Sequence, residues 1–233
     1  MQTKNKYTPS IGFLALSMQF ILHVSSANAA VIITLSSGST PFAVSSSDLL
    51  QTALSGSPVV TGIFNAFGTS GETVLRDGSD GGASSTNFST TAIIATGSSV
   101  TYTFDVGANP LGYILTEINT FGAWDDGRDA QNISIFYSTI QDPSTFLLLS
   151  TIAFEPPSPN LFSRVGVTPN IGEPFLATDV HSVRFVFPMQ ETGAGGYREL
   201  DVVGQAVPEP SAAFLLGSSA LAFVGIRKRT NKK

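Results

Sequence analysis

The sequence predicts an all-β fold, an antiparallel β-sandwich, with a short apolar helix at each end of the chain. Three observations support this prediction. Short runs of β-branched and aromatic residues recur from Ala30 to Ala206, glycine, proline and serine separate them, and no long segment with helical periodicity interrupts them. Antiparallel strands with one polar face must bury the other, so they close as a sandwich or a barrel, and we expect a sandwich.

The first part of this region, up to Gly107, is rich in Ser, Thr, Gly and Ala. Three apolar segments within it, "VIITL", "PVVTGIF" and "TAIIAT", are bounded by glycine, proline or small polar residues and predict short strands. Between the first two of these strands, the segment Asp48–Leu54, "DLLQTAL", predicts one brief helix.

A second series of strands is predicted by "SSVTYTFDV", "GYILTEINTF", "NISIFYSTI", "TFLLLSTIAF", "FSRVGVT", "HSVRFVFPM" and "YRELDVVGQ". In the first of them Tyr102, Phe104 and Val106 should point to one face, and in "SVRFVF" Arg184 should point outward. "PPSPN" (Pro156–Asn160) predicts a surface loop and not a linker, because similar strands continue on both sides. We therefore expect one domain over residues 30–206.

Charge is distributed unevenly along the chain. All lysines lie near the two ends (Lys4, Lys6, Lys228, Lys232 and Lys233), and between Ala30 and Val207 the only cations are Arg76, Arg128, Arg164, Arg184 and Arg198. This middle part holds all of the 17 carboxylates except Glu209. A body this acidic repels a polyanion, so nucleic acid is excluded as a partner. The absence of cysteine excludes disulfides, thiolate zinc sites and a cysteine nucleophile.

The N-terminal segment has the layout of a secretory signal peptide. Positive charge at Lys4 and Lys6 precedes an apolar stretch over residues 11–24, and the small residues Ala27 and Ala29 flank Asn28. We expect signal peptidase to cut after Ala29 and remove residues 1–29. A buried N-terminal helix would leave the small-residue triplet unexplained.

The C-terminal segment carries an apolar run over residues 211–226, shorter than the roughly 20 residues of a relaxed membrane-spanning helix. A basic cluster follows at Arg227, Lys228, Arg229, Lys232 and Lys233, and by the positive-inside rule it would stay on the cytoplasmic side of the inner membrane. The chain would then be held transiently in that membrane with its body outside.

Pro208, Glu209 and Pro210 stand immediately before the apolar run. With the run and the basic cluster they resemble the PEP-CTERM sorting signal, here over residues 207–233. The resemblance implies that an exosortase cuts the chain near these prolines and that the body reaches the cell surface or the extracellular matrix of a Gram-negative bacterium that makes extracellular polysaccharide. An ordinary C-terminal anchor is the alternative, for which the basic cluster alone would suffice.

The segment "FGAWDDGRDAQNISIFYS" contains the only tryptophan of the chain. Its indole could be a platform for a sugar ring, flanked by groups that hydrogen-bond hydroxyls; this candidate site consists of Trp124, Asp125, Asp126, Arg128 and Asp129. In the alternative that we favour, Asp126 and Gly127 form a turn, Arg128 pairs with a neighbouring carboxylate, and Trp124 caps the core. The spacing of the three aspartates is not that of an EF-hand.

The loop "LRDGSDGGASS" offers carboxylates and carbonyls in tight Asp-Gly turns, the oxygen ligands that calcium takes, although Asp-Gly is also an ordinary turn. Together with "WDDGRD" and "YRELDVVG", it resembles the galactose-binding-domain-like modules, the discoidin and carbohydrate-binding jelly rolls, over about Glu72–Gly204. That resemblance implies a jelly-roll sandwich and one structural calcium ion. Its ligands would be Asp77 and Glu199, helped by carbonyls near Ser79, Asp80 and Arg198.

These observations favour an exported, non-catalytic protein of the surface or matrix that binds glycan or exopolysaccharide. The first alternative is an enzyme acting on extracellular polysaccharide, but no acid–base pair stands out among the carboxylates. His181, the only histidine beyond the signal segment, has no triad signature around it. The second alternative is a surface protein that remains anchored in the membrane.

Overall fold

The computed structural model describes residues 31–190 and 192–209. The predicted signal peptide and the predicted membrane-spanning run with its basic cluster lie outside the described residues. The described residues form ten strands: β1 (Val31–Gly38), β2 (Val59–Thr61), β3 (Ala92–Ala95), β4 (Ser98–Thr103), β5 (Tyr113–Ala123), β6 (Gln131–Thr139), β7 (Leu147–Phe154), β8 (Phe162–Pro169), β9 (Ala177–Phe187) and β10 (Ala194–Ala206). One short helix, α1 (Leu49–Thr52), and two 3-10 turns, Ala66–Gly68 and Glu72–Arg76, lie between β1 and β3.

The strands form two antiparallel layers. The first has the order β1-β8-β5-β10-β3, and the second has the order β7-β6-β9-β4-β2. The layers are continuous at one corner, where β5 pairs with β9 at Tyr113↔Val180 and Leu115↔Ala177. The predicted antiparallel β-sandwich is thus confirmed, and every segment predicted as a strand contains one.

The core lies between the layers and is built by alternate residues of each strand. Ile118 and Leu200 of the first layer and Phe185 of the second are completely buried in one apolar cluster. Across the gap, the rings of Phe187 and Tyr197 lie 4.8 Å apart in an edge-to-face arrangement. The alternation in the sequence therefore identified the inward face correctly.

Two details of the β4 and β9 predictions have different outcomes. Tyr102 and Phe104 are buried as expected, but Val106 lies beyond the end of β4 and is only half-buried, because the strand stops at Thr103. Arg184 points away from the core, as predicted: its Nε donates to Thr101 Oγ1 at 3.0 Å, and its guanidinium stacks on the Phe146 ring at 3.6 Å.

Helix α1 is shorter than the predicted segment Asp48–Leu54, because capping hydrogen bonds define both of its ends. Asp48 is the N-cap, and its Oδ1 accepts from Leu50 N at 3.0 Å. The same oxygen accepts from Val202 N of β10 at 2.8 Å, so this carboxylate also fastens the helix to the last strand. Among residues 31–190 and 192–209, no helix is long and apolar enough to cross a membrane.

Candidate functional site

A cluster of three buried carboxylates lies on the side of β10 that faces away from the core. Leu200 and Val202 enter the core, so Glu199 and Asp201 point to the opposite face of the strand. Asp48 approaches them from the start of α1. One carboxylate oxygen of each residue lies within 4.8 Å of the other two, and all three side chains are at most 1% exposed.

Each carboxylate in this acidic cluster has one bonded oxygen and one without a hydrogen-bond partner among the described residues. Asp201 Oδ2 accepts from Ser45 N at 2.7 Å, Glu199 Oε1 accepts from Gly78 N at 3.2 Å, and Asp48 Oδ1 makes the two bonds given above. The unpartnered atoms are Asp48 Oδ2, Glu199 Oε2 and Asp201 Oδ1. Buried polar atoms normally have partners, so these oxygens are suited to hold a cation.

The protonation behaviour of the acidic cluster leads to the same conclusion. Burial raises the pKa of Asp48 to about 6, and burial together with neighbouring carboxylates raises the pKa of Asp201 to about 7 and that of Glu199 to about 9. A hard divalent cation such as calcium takes carboxylate and carbonyl oxygens, and it would offset two of the three negative charges without protons. The residues present therefore fit a calcium ion.

The structure does not bring all of the predicted calcium ligands together at one place. Glu199 belongs to the acidic cluster. Asp77 is exposed, and its carboxyl group lies within hydrogen-bonding reach of that of Glu199. Ser79 is exposed, and its hydroxyl accepts from Gly81 N at 3.1 Å. Asp80 is buried apart from the cluster, and its Oδ2 accepts from Phe42 N at 2.7 Å. The sequence analysis missed Asp48 and Asp201, although the alternation in "ELD" places Asp201 beside Glu199.

Arg198 binds the loop "LRDGSDGGASS" through its guanidinium. This side chain is completely buried, and it donates to the carbonyl oxygens of Asp80 at 2.8 Å and Gly82 at 3.1 Å. It also donates to the carbonyls of Ser84 and Ser85. The Asp80 carbonyl, which the sequence analysis assigned to a cation, thus accepts from an arginine, and the acidic cluster is the better candidate for a metal.

Trp124 is not exposed as a sugar platform. It is 2% exposed, packs with Ile93 and Ala194 in a small second apolar cluster, and meets the Phe88 ring edge-to-face at 5.3 Å. A buried indole has no free face for a sugar ring, so the geometry favours the core-capping role that the sequence analysis gave as its alternative.

The residues after Trp124 form the turn at Asp126 and Gly127 that the favoured alternative of the sequence analysis predicts. Asp126 pairs with Arg128, with 2.8 Å between Arg128 Nε and Asp126 Oδ1, and this contact lowers the pKa of Asp126. Asp125 is exposed, whereas Asp129 is 4% exposed and its backbone N donates to Asp126 O at 3.2 Å.

An aromatic residue that the sequence analysis missed lies beside this turn. The Arg128 guanidinium carbon is 4.7 Å from the centre of the Phe67 ring and 5.8 Å from that of Trp124. Phe67, Asp126, Gly127, Arg128 and Thr192 line a cavity of about 330 Å³, which we name the loop-end pocket. Its volume falls within the range of roughly 300–1,000 Å³ that is typical of small-molecule sites.

Phe67 has two unusual properties. Its side chain is 68% exposed, and its φ of 59° places the backbone in the left-handed region, which is uncommon for a bulky residue. Strained backbone of this kind persists only where the surrounding structure imposes it, and it concentrates at ligand sites. The letters "NAFGTS" show neither alternation nor a turn rule that would reveal this exposure.

A serine–histidine contact in β9 does not form an accessible nucleophile. His181 Nδ1 and Ser182 Oγ are 2.7 Å apart, but Ser182 is only 2% exposed. A substrate carbonyl could not reach this hydroxyl without opening the sheet.

No protein-family model matches the sequence, and no curated protein matches it at a significant level. Solved β-sandwich structures show a limited likeness of fold. The tandem carbohydrate-binding modules of ZmpB from Clostridium perfringens are 15% identical, with a TM-score of 0.43 over 67% of this chain and 35% of theirs. The chain thus spans about a third of the length of that solved two-module chain.

Two shorter structures are similar over nearly their whole length. The family 32 carbohydrate-binding module of NanJ from Clostridium perfringens, solved with galactose, is 14% identical, with a TM-score of 0.42 over 63% of this chain and 91% of the module. The C-terminal domain of a chitobiase from Bacteroides fragilis is 14% identical, with a TM-score of 0.47 over 69% of this chain and 99% of that domain. These are likenesses of fold, and the function of this chain has to be argued from its own residues.

Proposed function

We propose that this protein is a non-catalytic glycan-binding module and that the loop-end pocket is its binding site. The observation that carries the proposal is the exposed ring of Phe67, held in a strained backbone beside the Asp126–Arg128 ion pair. An aromatic face can cover the apolar face of a pyranose, while the carboxylate and the guanidinium are suited to hydroxyl groups. The role that the sequence analysis considered for Trp124 thus passes to Phe67.

Replacing Phe67 should abolish binding without unfolding the protein. For Phe67→Ala and Phe67→Gly we expect glycan affinity to fall at least about tenfold, because the stacking face is lost. For Phe67→Gly the free energy of unfolding should change by less than about 1 kcal/mol, since relief of the left-handed strain offsets the lost contact with Arg128. Phe67→Ala keeps that strain and should be about 1 kcal/mol less stable than Phe67→Gly. Glycan-array binding and urea unfolding of the full chain measure the two effects.

Ile171→Ala is the matched control, because Ile171 is also an exposed apolar residue, 90% exposed. It should leave both binding and stability unchanged. Galactose and N-acetylgalactosamine are the first probes, as sugars bound in solved structures of similar fold. Undiminished binding by Phe67→Ala would remove the loop-end pocket as the site, and turnover of an extracellular polysaccharide by the purified protein would favour the enzyme alternative.

We also propose that the acidic cluster holds one structural calcium ion. Its three unpartnered carboxylate oxygens are the observation that supports this proposal. When bound, the ion would supply positive charge that joins the start of α1 to β10, and Asp48, Glu199 and Asp201 would be its carboxylate ligands. No part in glycan recognition is assigned to it.

The route to the surface is the third part of the proposal. Signal peptidase would remove residues 1–29, and an exosortase would cut the tail near Pro208–Pro210 after the apolar run has held the chain in the inner membrane. The layout of charges and apolar residues at both ends supports this route.

The intact mass of the protein recovered from the native cell surface and medium tests this route. We expect a species that begins at Ala30 and ends near Pro210. A species that retains Arg227–Lys233 would instead identify a permanently anchored protein, and the sorting proposal would be withdrawn.

A further inference from the structure

We infer that the glycan site extends past the loop-end pocket into a second pocket and that it takes a neutral chain of at least two sugar residues. This inference rests on the proposed function and goes beyond it in naming the class of ligand. The second cavity has a volume of about 450 Å³, and we name it the β6–β7 pocket. The residues on which the inference depends are Ala130, Asn132, Phe154, Glu155, Met189 and Gln190.

The two pockets are lined by neighbouring positions of the same two chain segments. Arg128 lines the first and Ala130 the second, while Thr192 lines the first and Gln190 the second. Residues two positions apart are separated by at most about 7 Å. A ligand that leaves the first pocket along these segments therefore enters the second within the length of a short oligosaccharide.

The wall of the β6–β7 pocket is fixed by buried hydrogen bonds. Gln190 Nε2 donates to Asn132 O at 2.6 Å, and Asn132 N donates to Tyr197 Oη at 2.9 Å. Tyr197 Oη also donates to Gln190 Oε1 at 3.3 Å. Gln190 is 3% exposed and Tyr197 is completely buried, so this network holds the wall in place before any ligand arrives.

The lining of this pocket combines apolar surface with polar groups at its rim. Met189 is 67% exposed and Phe154 is half-buried, while the Glu155 carboxylate is exposed and the Asn132 side chain is half-buried. Apolar surface flanked by hydroxyl-binding groups is the chemistry of a sugar subsite. An exposed methionine there is adaptable in shape and becomes covered when a second sugar binds.

Charge limits the ligand to neutral sugars. Among the described residues that line the two pockets, Arg128 is the only cation, and it is already paired with Asp126. The carboxylates of Asp126 and Glu155 would repel a uronate, which is normally bound by an unpaired arginine or lysine. The ligand class is thus a neutral oligosaccharide and not an acidic polysaccharide.

The test is a length series of the ligand on the full chain. A glycan array of neutral and uronate oligosaccharides selects the best neutral binder, and calorimetry then compares its monosaccharide, disaccharide and tetrasaccharide. We expect the tetrasaccharide to bind at least about tenfold tighter than the monosaccharide, because Met189 and neighbouring apolar surface are covered only by the longer ligand. Met189→Ala should remove most of this gain, measured as the ratio of tetrasaccharide to monosaccharide affinity.

Glu155→Gln is the second variant. Because its side chain is exposed and of the same shape, it should keep the fold and retain the gain with length, while uronate binding improves. Equal affinity for one and four sugars, with binding still lost in Phe67→Ala, overturns this inference and leaves the proposed function standing. Preference for the uronate chains overturns the neutral-ligand part. Failure of every array member to bind overturns the proposed function as well.

Discussion

Removing divalent cations at pH 8 is expected to lower the melting temperature of the protein by roughly 5–10 °C, as measured by calorimetry with and without millimolar calcium. The acidic cluster is the reason. Asp48, Glu199 and Asp201 bring three carboxylates within 4.8 Å in a buried place, and without a cation they must either repel one another or bind protons.

The sign of the pH dependence follows from the pKa values of about 6, 7 and 9 for Asp48, Asp201 and Glu199. In the unfolded chain such groups ionise near pH 4, so above about pH 4 the metal-free folded state binds more protons than the unfolded state. The free energy of unfolding of the metal-free protein should therefore fall as pH rises from about 4 towards 9. The stabilisation by calcium should grow over the same range.

Asp201→Asn separates charge from shape in this experiment. The amide oxygen can still accept from Ser45 N, but one buried negative charge is gone. At pH 8 without calcium this variant should be more stable than the wild type, and its gain on adding calcium should be smaller. Glu173→Gln, at an exposed position, is the control and should change neither quantity. If chelation at pH 8 leaves the melting temperature of the wild type unchanged, the acidic cluster holds no calcium.

Arg198→Ala is expected to lower the free energy of unfolding by at least about 3 kcal/mol, as measured by urea denaturation. The guanidinium is completely buried, bonds to four loop carbonyls, and lies 4.9 Å from the Phe162 ring centre. The variant leaves the buried Asp80 carbonyl without this partner and removes the bonds that hold the more exposed carbonyls of Gly82, Ser84 and Ser85 in place. We expect the loop over residues 79–86 to become the first site of limited proteolysis.

Arg184→Ala is the matched control, because Arg184 also stacks on an aromatic ring but is only half-buried and makes one hydrogen bond. It should cost no more than about 1 kcal/mol. Arg198→Lys should recover little of the loss, since an ammonium group cannot reach four carbonyls arranged around a planar fork. Equal urea midpoints for Arg198→Ala and the wild type would contradict a clamping role for this residue.

The strands were predictable because the signal for each of them lies in its own consecutive residues. "TYTFDV" and "SVRFVF" alternate because one face of each strand enters the core, and this pattern is written in consecutive residues. The pairing is not local: β1 pairs with β8 from Val31↔Pro169 to Gly38↔Phe162, and β10 lies between β5 and β3. The sequence of a single strand does not specify with which other strand it will pair.

The sites were predictable only in part, for the same reason. Glu199 and the Asp126–Arg128 pair follow from short motifs, and Asp48 could be read as an N-cap. The meeting of Asp48 with Val202, however, joins positions 154 residues apart in the sequence. Phe67 was missed because exposure and a positive φ arise from its surroundings, so the sequence pointed to the more conspicuous Trp124 instead.

The position of β10 also affects the order in which the molecule can assemble. It is the last strand of the sandwich along the chain, yet it is an interior strand of the first layer, between β5 and β3, and carries two residues of the acidic cluster. Synthesis of residues 31–193 alone would leave β5 and β3 without the strand that joins them. Folding must therefore wait until the C-terminal residues have left the ribosome, and contacts so distant in sequence form slowly.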